Sequence, residues 1–544
     1  MTSRRAFVAS GGALLVGAVL PRGDVSRRAQ PPAEIILRGG TLFDGSGAEG
    51  TIADIAIRGG RISAIGTALP GGAGLEIDAR GLAVAPGFID IHSHGDGSLS
   101  ADPRAESVIR QGITTIAVGA DGSSRATGAI KSSFADLFAR LDRLRPGPNV
   151  ASMVGLGSVR GAVVGDTDRR ASAAELRTMV AMVERALADG VCGASSGLEY
   201  TPGAFASPDE LIALCRPLAA RELVYATHMR NEDDRLLDAI AESIVVARGA
   251  RCGLQISHLK TQGPRNWSRL QLAFDQIESA RAEGLNVAFD RYPYLAYATG
   301  LTNLFPVWSR DGGTPAFLTR LKSQATAARI QAETLAKVEL IGGWDNVQIT
   351  AVFSPADRDV QGKRLGAWAA SIGKAPYEAT VALLERNKGR VDMAGFAMSE
   401  ENLERILAHP LSMVCSDGGA FAIDGPTRRG SPHPRGAGSF PRVLGRYVRE
   451  RKVLTLPDAI RRLTSVPADR LKLSDRGRLE VGKAADVVVF DPDRIADTAT
   501  FERPFQYPVG INVVIVNGQV ALRDGVRARV GSGKALRSDP PGAR

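Results

Sequence analysis

His92 and His94 stand two residues apart in FIDIHSH, His228 closes VYATH, His258 closes LQISH, and Asp417 lies in CSDGG. Each follows or ends a short apolar run of the kind that forms a buried β-strand. Side chains two apart on a strand point to the same side, so His92 and His94 face one way. Imidazole nitrogens with carboxylate oxygens are the donors that Zn²⁺ and similar borderline divalent ions take. A lone histidine at a strand end is ordinarily a core residue with its hydrogen bonds satisfied. Four of them at strand ends, joined by a carboxylate, form the pattern of a metal centre. His409 and His433 fall outside it, and His409, next to Pro410, reads as structural.

The elements that would hold these side chains are legible as alternating strands and helices. Strand-like runs cover 88–94, 114–119, 150–159, 192–200, 224–230, 252–260, 286–294 and 411–418. Helical stretches lie between them, one opening on Ser207-Pro208, an N-cap followed by proline at the first helical position. Eight strands each followed by helix is the count of a (β/α)₈ barrel, whose active sites lie at the C-terminal rim of the strands. The histidines and Asp417 then converge on that rim from strands one, five, six and eight. The long gap before the eighth strand predicts an insertion around 300–370, mostly helical over 310–340, that caps the site. Glycine-broken β runs at both ends, such as IADIAIRGGRISAIG and KAADVVVFDPD, predict one small β-sandwich built from 31–86 and 466–530. The barrel is expected over 87–465, and a flexible tail over 531–544.

Hydrophobic residues make 44% of the chain and charged residues 23%, which excludes a disordered chain, a collagen and a polytopic membrane protein. The net charge of +10 raises a nucleic-acid or membrane partner. Its distribution argues against both. Residues 1–30 carry +4 and residues 523–544 another +4, which leaves the body with +2. The first thirty residues read as a signal peptide: Arg4-Arg5 in SRRAFV, then the apolar run ASGGALLVGAVL, too short for a comfortable membrane span. The paired arginines resemble a twin-arginine export signal. The expectation is therefore a periplasmic or otherwise exported protein, using the twin-arginine machinery transiently, with no nucleic acid and no stable membrane insertion once the signal is removed. The cysteines, Cys192, Cys215, Cys252 and Cys415, lack C-x-x-C spacing and read as buried thiols. Export in the folded state would protect them.

PGFIDIHSH, THMRNE, ISHLK, YPY, CSDG and HPRGAGSFPRVLGRYVRE together resemble the amidohydrolase superfamily, and within it the D-aminoacylases, or N-acyl-D-amino-acid deacylases. The likeness runs over almost all of 33–530. It implies a metal-dependent hydrolase barrel with a small β-sandwich, an enzyme acting on carbon–nitrogen bonds other than peptide bonds. It implies one or two Zn²⁺ ions, with His92 and His94 at one metal position and His228 and His258 at the other. Asp417 would be the catalytic carboxylate and a metal neighbour. The implied substrate is an N-acyl-D-amino acid, with its α-carboxylate met by Lys260, Arg435 and, from YPY, Tyr292.

The sequence departs from that family at the bridging ligand. The fourth strand, CGASSGLEY, has no lysine to be carboxylated, and the second-strand motif VGADG has Asp121 where the D-aminoacylases have cysteine. Glu199, at the end of the fourth strand, is the first choice for the bridge and Asp121 the second. An oxygen in place of a thiolate also admits Mn²⁺ or Co²⁺. Arg230, on the His228 side, is open to pairing with Glu232 or with substrate. Two other readings stand beside the deacylase. One is a cyclic-amide or isopeptide hydrolase of the dihydroorotase, hydantoinase or isoaspartyl dipeptidase kind. The other is a barrel that has lost catalysis, against which the retained histidines and aspartate argue.

Overall fold

The computed structural model describes residues 33–529 and 531–538. The leader expected over 1–30 lies outside them. Among the described residues no helix is long and apolar enough to cross a membrane.

Eight parallel strands form the barrel: Phe88–Asp90, Ile113–Val118, Asn149–Ser152 with its continuation Val154–Gly155, Gly193–Gly197, Val224–His228, Gly253–Ile256, Val287–Arg291 and Ser412–Val414. Neighbours pair in chain order from the first to the eighth. The ring closes just past the strand ends. The Asp417 amide donates to the His92 carbonyl at 2.8 Å, and the His94 amide to the Gly418 carbonyl at 2.9 Å. Asp90 accepts from the Ser416 amide at 2.9 Å and from its hydroxyl. The closure that completes the barrel thus also fixes H-x-H against the segment of Asp417. The third strand is shorter than expected: it stops at Gly155, and Leu156–Val163 is helix.

Local signals explain the helices. Ala173–Asp189 opens on a capping box of Ser172 and Glu175 and stops at Gly190, whose φ of 102° suits only glycine. Met179, Met182, Val183, Ala186 and Leu187 are buried at helical spacing. Pro208–Cys215 starts as expected, with the Ser207 side chain accepting from the Glu210 amide.

The insertion is longer than 300–370. It begins at Ala296–Gly300, returns at Val391–Phe396, and these two strands with Val347–Val352 make a separate antiparallel sheet. The helices Gly313–Arg320 and Ala327–Leu340 lie between its first two strands.

The strands from the regions on either side of the barrel, within 35–86 and 487–527, form one nine-stranded sheet. Its central ladder pairs Ala83–Pro86 with Val487–Phe490, antiparallel. The outer strand Arg61–Gly66 turns back on the segment before Val487, with the Ile62 amide donating to Lys483 at 3.0 Å. The sheet thereby wraps around Ile57, Ile62, Val487, Val489 and Ile515. Alternation does the rest: Val488, Phe490, Val514 and Val516 face the other way and join the barrel core. There Phe88 stacks on Phe440 at 5.8 Å and tilts against Phe490 at 6.1 Å.

Residues 531–538 are not a free tail. The Val150 amide donates to the Lys534 carbonyl at 2.9 Å, the Leu536 amide donates to the Val150 carbonyl at 2.8 Å, and Ala535 forms a parallel bridge with Val150. The Ser538 hydroxyl bonds the Val191 carbonyl at 2.9 Å. The segment covers the base of the third and fourth strands, which offered backbone groups it could pair.

Phe88 is fully buried where barrel and sheet meet. Phe88→Ala is expected to destabilise the protein by about 3–5 kcal/mol through the cavity it leaves. Chemical denaturation checks this, and a cost below about 1 kcal/mol would show that the two cores are not joined there.

Candidate metal centre

The four expected histidines and Asp417 meet at one end of the barrel. His92 Nε2 lies 3.4 Å from Asp121 Oδ2 and 3.5 Å from Asp417 Oδ1. His94 Nε2 lies 3.4 Å and 3.1 Å from the same two carboxylates. His258 Nε2 is 3.6 Å from Asp121, and His228 Nδ1 is 3.9 Å from it. The two last rings touch, His228 Nδ1 to His258 Nε2, at 3.1 Å.

Asp121 is therefore the carboxylate that faces all four imidazoles. Glu199, ranked first from sequence, reaches only His228 Nε2, at 3.4 Å, and accepts from Asn303 at 3.0 Å. The reason is a turn. Asp121 has φ of 50° between Gly119 and Gly122, and a Cβ on Gly122 would meet the Gly197 amide nitrogen at 2.6 Å. The loop after the second strand is thus pressed onto the fourth strand and carries Asp121 inward. His258 and Asp417 also have positive φ, 36° and 48°. Three donors in a strained backbone region, at one rim, are held there by the fold rather than by local preference.

Two carboxylates at the centre escaped the sequence reading. Asp290, at the end of the seventh strand, lies 3.4 Å from His92 Nδ1 and accepts from the His258 amide at 2.8 Å and from Gln255 at 2.7 Å. It orients His92 so that Nε2 faces inward. Glu232 lies 3.0 Å from His258 Nδ1, 2.5 Å from Lys260 and 2.8 Å from Gln262. Glu232 sits four residues after His228, in THMRNE, and the sequence offered it only as a partner for Arg230.

The two cations at the cavity already have carboxylate partners. Lys260 is buried against Glu232 and His258 Nδ1. Arg435 is buried and ion-paired with Asp417 at 2.6 Å, its guanidinium 4.8 Å from the Tyr292 ring. The Tyr292 hydroxyl is buried with no hydrogen-bond partner. All three line a cavity of about 420 Å³ that also holds His94, Asp121, Glu199, His228, His258 and Asp417. Arg230 pairs with neither Glu232 nor the cavity; it grips Glu242 at 2.8 Å and the carbonyls of Ala204 and Ala206. His409 and His433 stay outside the group, on Glu278 and on the Ala296 carbonyl.

Electrostatics shows what the group demands. Burial opposes charge on His92, yet Asp121 and Asp417 more than offset it and raise the imidazole well above its ordinary value. Burial likewise disfavours charge on His94, but the same carboxylates lift it to about 9. Burial also works against ionised Asp417, and Arg435, with His92 and His258, still holds it well below the usual range. The carboxylates thus call for positive charge among the imidazoles. His92 Nε2, His228 Nε2 and Asp121 Oδ1 are buried without hydrogen-bond partners. Donor atoms of His92, Asp121, His258 and Asp417 lie within 4.8 Å of one another, as do those of His228, Glu232 and His258. Orphaned nitrogen and oxygen donors in an acidic pocket fit a divalent ion such as Zn²⁺.

A family model described as amidohydrolase matches residues 401–522. The chain is 36% identical to a D-aminoacylase of Alcaligenes xylosoxydans xylosoxydans, over 91% of this chain and 95% of the relative. It is 36% identical to an N-acyl-D-glutamate deacylase of the same organism, over 90% and 93%. The solved structure of N-acyl-D-glutamate deacylase from Bordetella bronchiseptica, complexed with zinc and a phosphonate inhibitor, superposes with a TM-score of 0.80 at 35% identity. That match covers 93% of this chain and all of the other. A D-aminoacylase structure with a binuclear metal centre matches at 0.79 and 34%, over the same shares. L-Hydantoinase from Arthrobacter aurescens, at 18% identity and 0.57, shares the fold.

Asp121→Ala is expected to strip bound metal from the protein, whereas Glu199→Gln keeps most of it. Asp290→Asn is expected to weaken metal affinity by about 10–100-fold. Elemental analysis after dialysis against chelator checks all three, and a larger loss from Glu199→Gln than from Asp121→Ala would reverse the assignment.

Proposed function

The chain belongs to the D-aminoacylase family of amidohydrolases, and on that premise we propose that it hydrolyses the amide bond of N-acyl-D-amino acids, releasing a carboxylate and a free D-amino acid. The observation that carries this reading is Asp417: ionised, paired with Arg435, and 3.1 Å from His94 at the wall of the metal-fitting cavity.

His92, His94, Asp121, His228, His258 and Asp417 are the residues that would hold one or two Zn²⁺ ions, and their nitrogen and oxygen donors also suit Mn²⁺ or Co²⁺. Such an ion supplies Lewis acidity, lowering the pKa of water and polarising an acyl carbonyl. The chain's own residues do the rest. Asp417, kept ionised by Arg435, orients the attacking water, takes its proton and returns it to the leaving amine. Asp290 holds the His92 ring in register. Lys260 and Arg435 bring positive charge to the cavity wall, and the unpartnered Tyr292 hydroxyl adds a donor, which together suit the substrate's α-carboxylate. The likeness to hydantoinases lies at the level of fold and lends no support to cyclic amides as substrates.

Arg4-Arg5 and the apolar run after them, which resemble a twin-arginine signal, support a second proposal, that the protein is exported folded to the periplasm or beyond. All four cysteines are buried and unpaired, as suits a protein that leaves a reducing compartment already folded. Replacing Arg4 and Arg5 together by lysine is expected to retain the protein in the cytoplasm on cell fractionation. Export undiminished by that change would refute the twin-arginine route.

Purified metal-loaded protein is expected to release amine from N-acyl-D-amino acids and not from their L-enantiomers. Asp417→Asn is expected to keep folded structure and lose about 10²–10⁴-fold in kcat. A colorimetric amine assay reads both, and near-normal turnover by Asp417→Asn would remove it from the proton-transfer role.

A further inference from the structure

Lys260 and Arg435, two cations that line the catalytic cavity, are each held by a carboxylate of the protein, Lys260 by Glu232 and Arg435 by Asp417. A substrate carboxylate arriving there meets two pairs whose charges already largely cancel. His433, whose ring lies 6.2 Å from that of Tyr292, adds no charge: burial first, then the guanidiniums of Arg435 and Arg291, holds its imidazole well below the ordinary value. One uncompensated positive charge lies directly behind the cavity wall, on Arg291.

Arg291 is the last residue of the seventh barrel strand, and Tyr292, which lines the cavity, follows it. The Arg291 carbonyl accepts from the Cys415 amide at 3.2 Å, which ties this strand end to the eighth strand. The side chain is 1% exposed. Its Nη2 donates to the Tyr294 carbonyl at 2.9 Å, so the guanidinium spans the turn Tyr292-Pro293-Tyr294. Its Nε and Nη1 are buried with no hydrogen-bond partner, and among the described residues it forms no ion pair. Its Cζ lies 4.3 Å from the centre of the Tyr292 ring. A buried guanidinium without a carboxylate is costly, and the electron-rich face of an aromatic ring is the partner left to it. The effect is mutual. A cation against the ring draws electron density from the phenol, and in a low-dielectric interior this strengthens the hydroxyl as a donor. That hydroxyl is itself buried and unpartnered. A donor with no acceptor, backed by a cation with no anion, is complementary to an anion in the cavity.

Resting on the deacylase reading, we infer that Arg291 is a positioning residue for substrate recognition. From behind the Tyr292 ring it makes the Tyr292 hydroxyl a strong donor to the substrate's α-carboxylate, and it supplies the positive charge that Glu232 and Asp417 take from Lys260 and Arg435. Arg291 does not line the cavity; it acts through Tyr292. The preference for an acid over a neutral amide at this end of the substrate is then set by a charge that the substrate never touches.

The test sets N-acetyl-D-alanine, N-acetyl-D-leucine and N-acetyl-D-glutamate each against its α-carboxamide on the metal-loaded enzyme, with acetate release as the readout. For the pairs that are hydrolysed, KM of the acid is expected to lie at least about tenfold below that of the carboxamide. Arg291→Met is expected to raise KM of the acid about tenfold and to leave the carboxamide's KM, and kcat for both, within about threefold, the signature of lost substrate binding. Arg291→Lys, which keeps the charge, restores part of the preference. In Tyr292→Phe the ring face remains and the hydroxyl is gone, so adding Arg291→Met there changes KM of the acid by less than about twofold. Arg291→Gln serves if Arg291→Met does not fold, as judged by thermal unfolding. No preference for the acid in the wild-type enzyme, a KM rise shared equally by acid and carboxamide, or an undiminished effect in the Tyr292→Phe background overturns the inference. If none of the compounds is hydrolysed, the deacylase reading falls by itself. Calorimetric titration of the same pairs then decides the role of Arg291: tighter binding of the acid, lost in Arg291→Met, sustains it, and equal affinity within each pair overturns it.

Discussion

The concentration of negative charge at one rim is the constraint on which the centre depends. Asp121, Glu199, Glu232, Asp290 and Asp417 are all withdrawn from solvent within reach of four imidazoles. Carboxylates in such a place are tolerated only when each has a cation or a donor. Asp290 takes backbone and amide donors, Glu232 takes Lys260, and Asp417 takes Arg435. Asp121 has no dedicated partner of that kind; it faces imidazoles alone. The charge it needs must come from what those imidazoles bind.

This arrangement divides the work among the acids. Asp290 and Glu232 stand behind their histidines and set which nitrogen faces inward. Asp121 and Asp417 stand in front. Because Arg435 is fixed to Asp417, one guanidinium serves two ends: it keeps the carboxylate ionised and leaves the edge of its charge at the cavity wall. The positive φ at Asp121, His258 and Asp417 shows that the barrel holds these donors in conformations they would not choose. Barrel closure by Asp417 and His94 backbone bonds is what holds two of the elements concerned.

Much of this was legible in the sequence because it rests on short-range regularities. Eight strand-like runs with helices between them specified the barrel, but the first strand ends at Asp90, so His92 and His94 are placed by the segment after it rather than by alternation along it. Alternation explains how Val487–Phe490 serves two cores at once. What was not legible depends on long-range approach. Whether Asp121 or Glu199 reaches the centre turns on how closely Gly122 packs on Gly197. Glu232 was legible only as a partner for Arg230, because its place behind His258 and Lys260 depends on how the loop after the fifth strand folds back. The docking of 531–538 could not be read either, because it rests on long-range contacts: backbone bonds to Val150, the Ser538 hydroxyl on Val191, Arg537 beside Phe138 and Asp142, and buried Leu536. The insertion's sheet was missed because Val347–Val352 and Val391–Phe396 lie amid helices and pair across them.

The central ladder of the nine-stranded sheet has a consequence for how the polypeptide is made. Ala83–Pro86 pairs with a strand that begins at Val487, so the first half of the sheet leaves the ribosome with an open edge. Nearly the whole barrel must be synthesised before that edge is covered. An unpaired edge is a template for association with other chains, and so distant a contact is slow to form. The nascent chain is therefore exposed to misassembly for most of its translation. Its yield in a cell should depend on chaperones that shield an early β edge, more than on the stability of the finished fold.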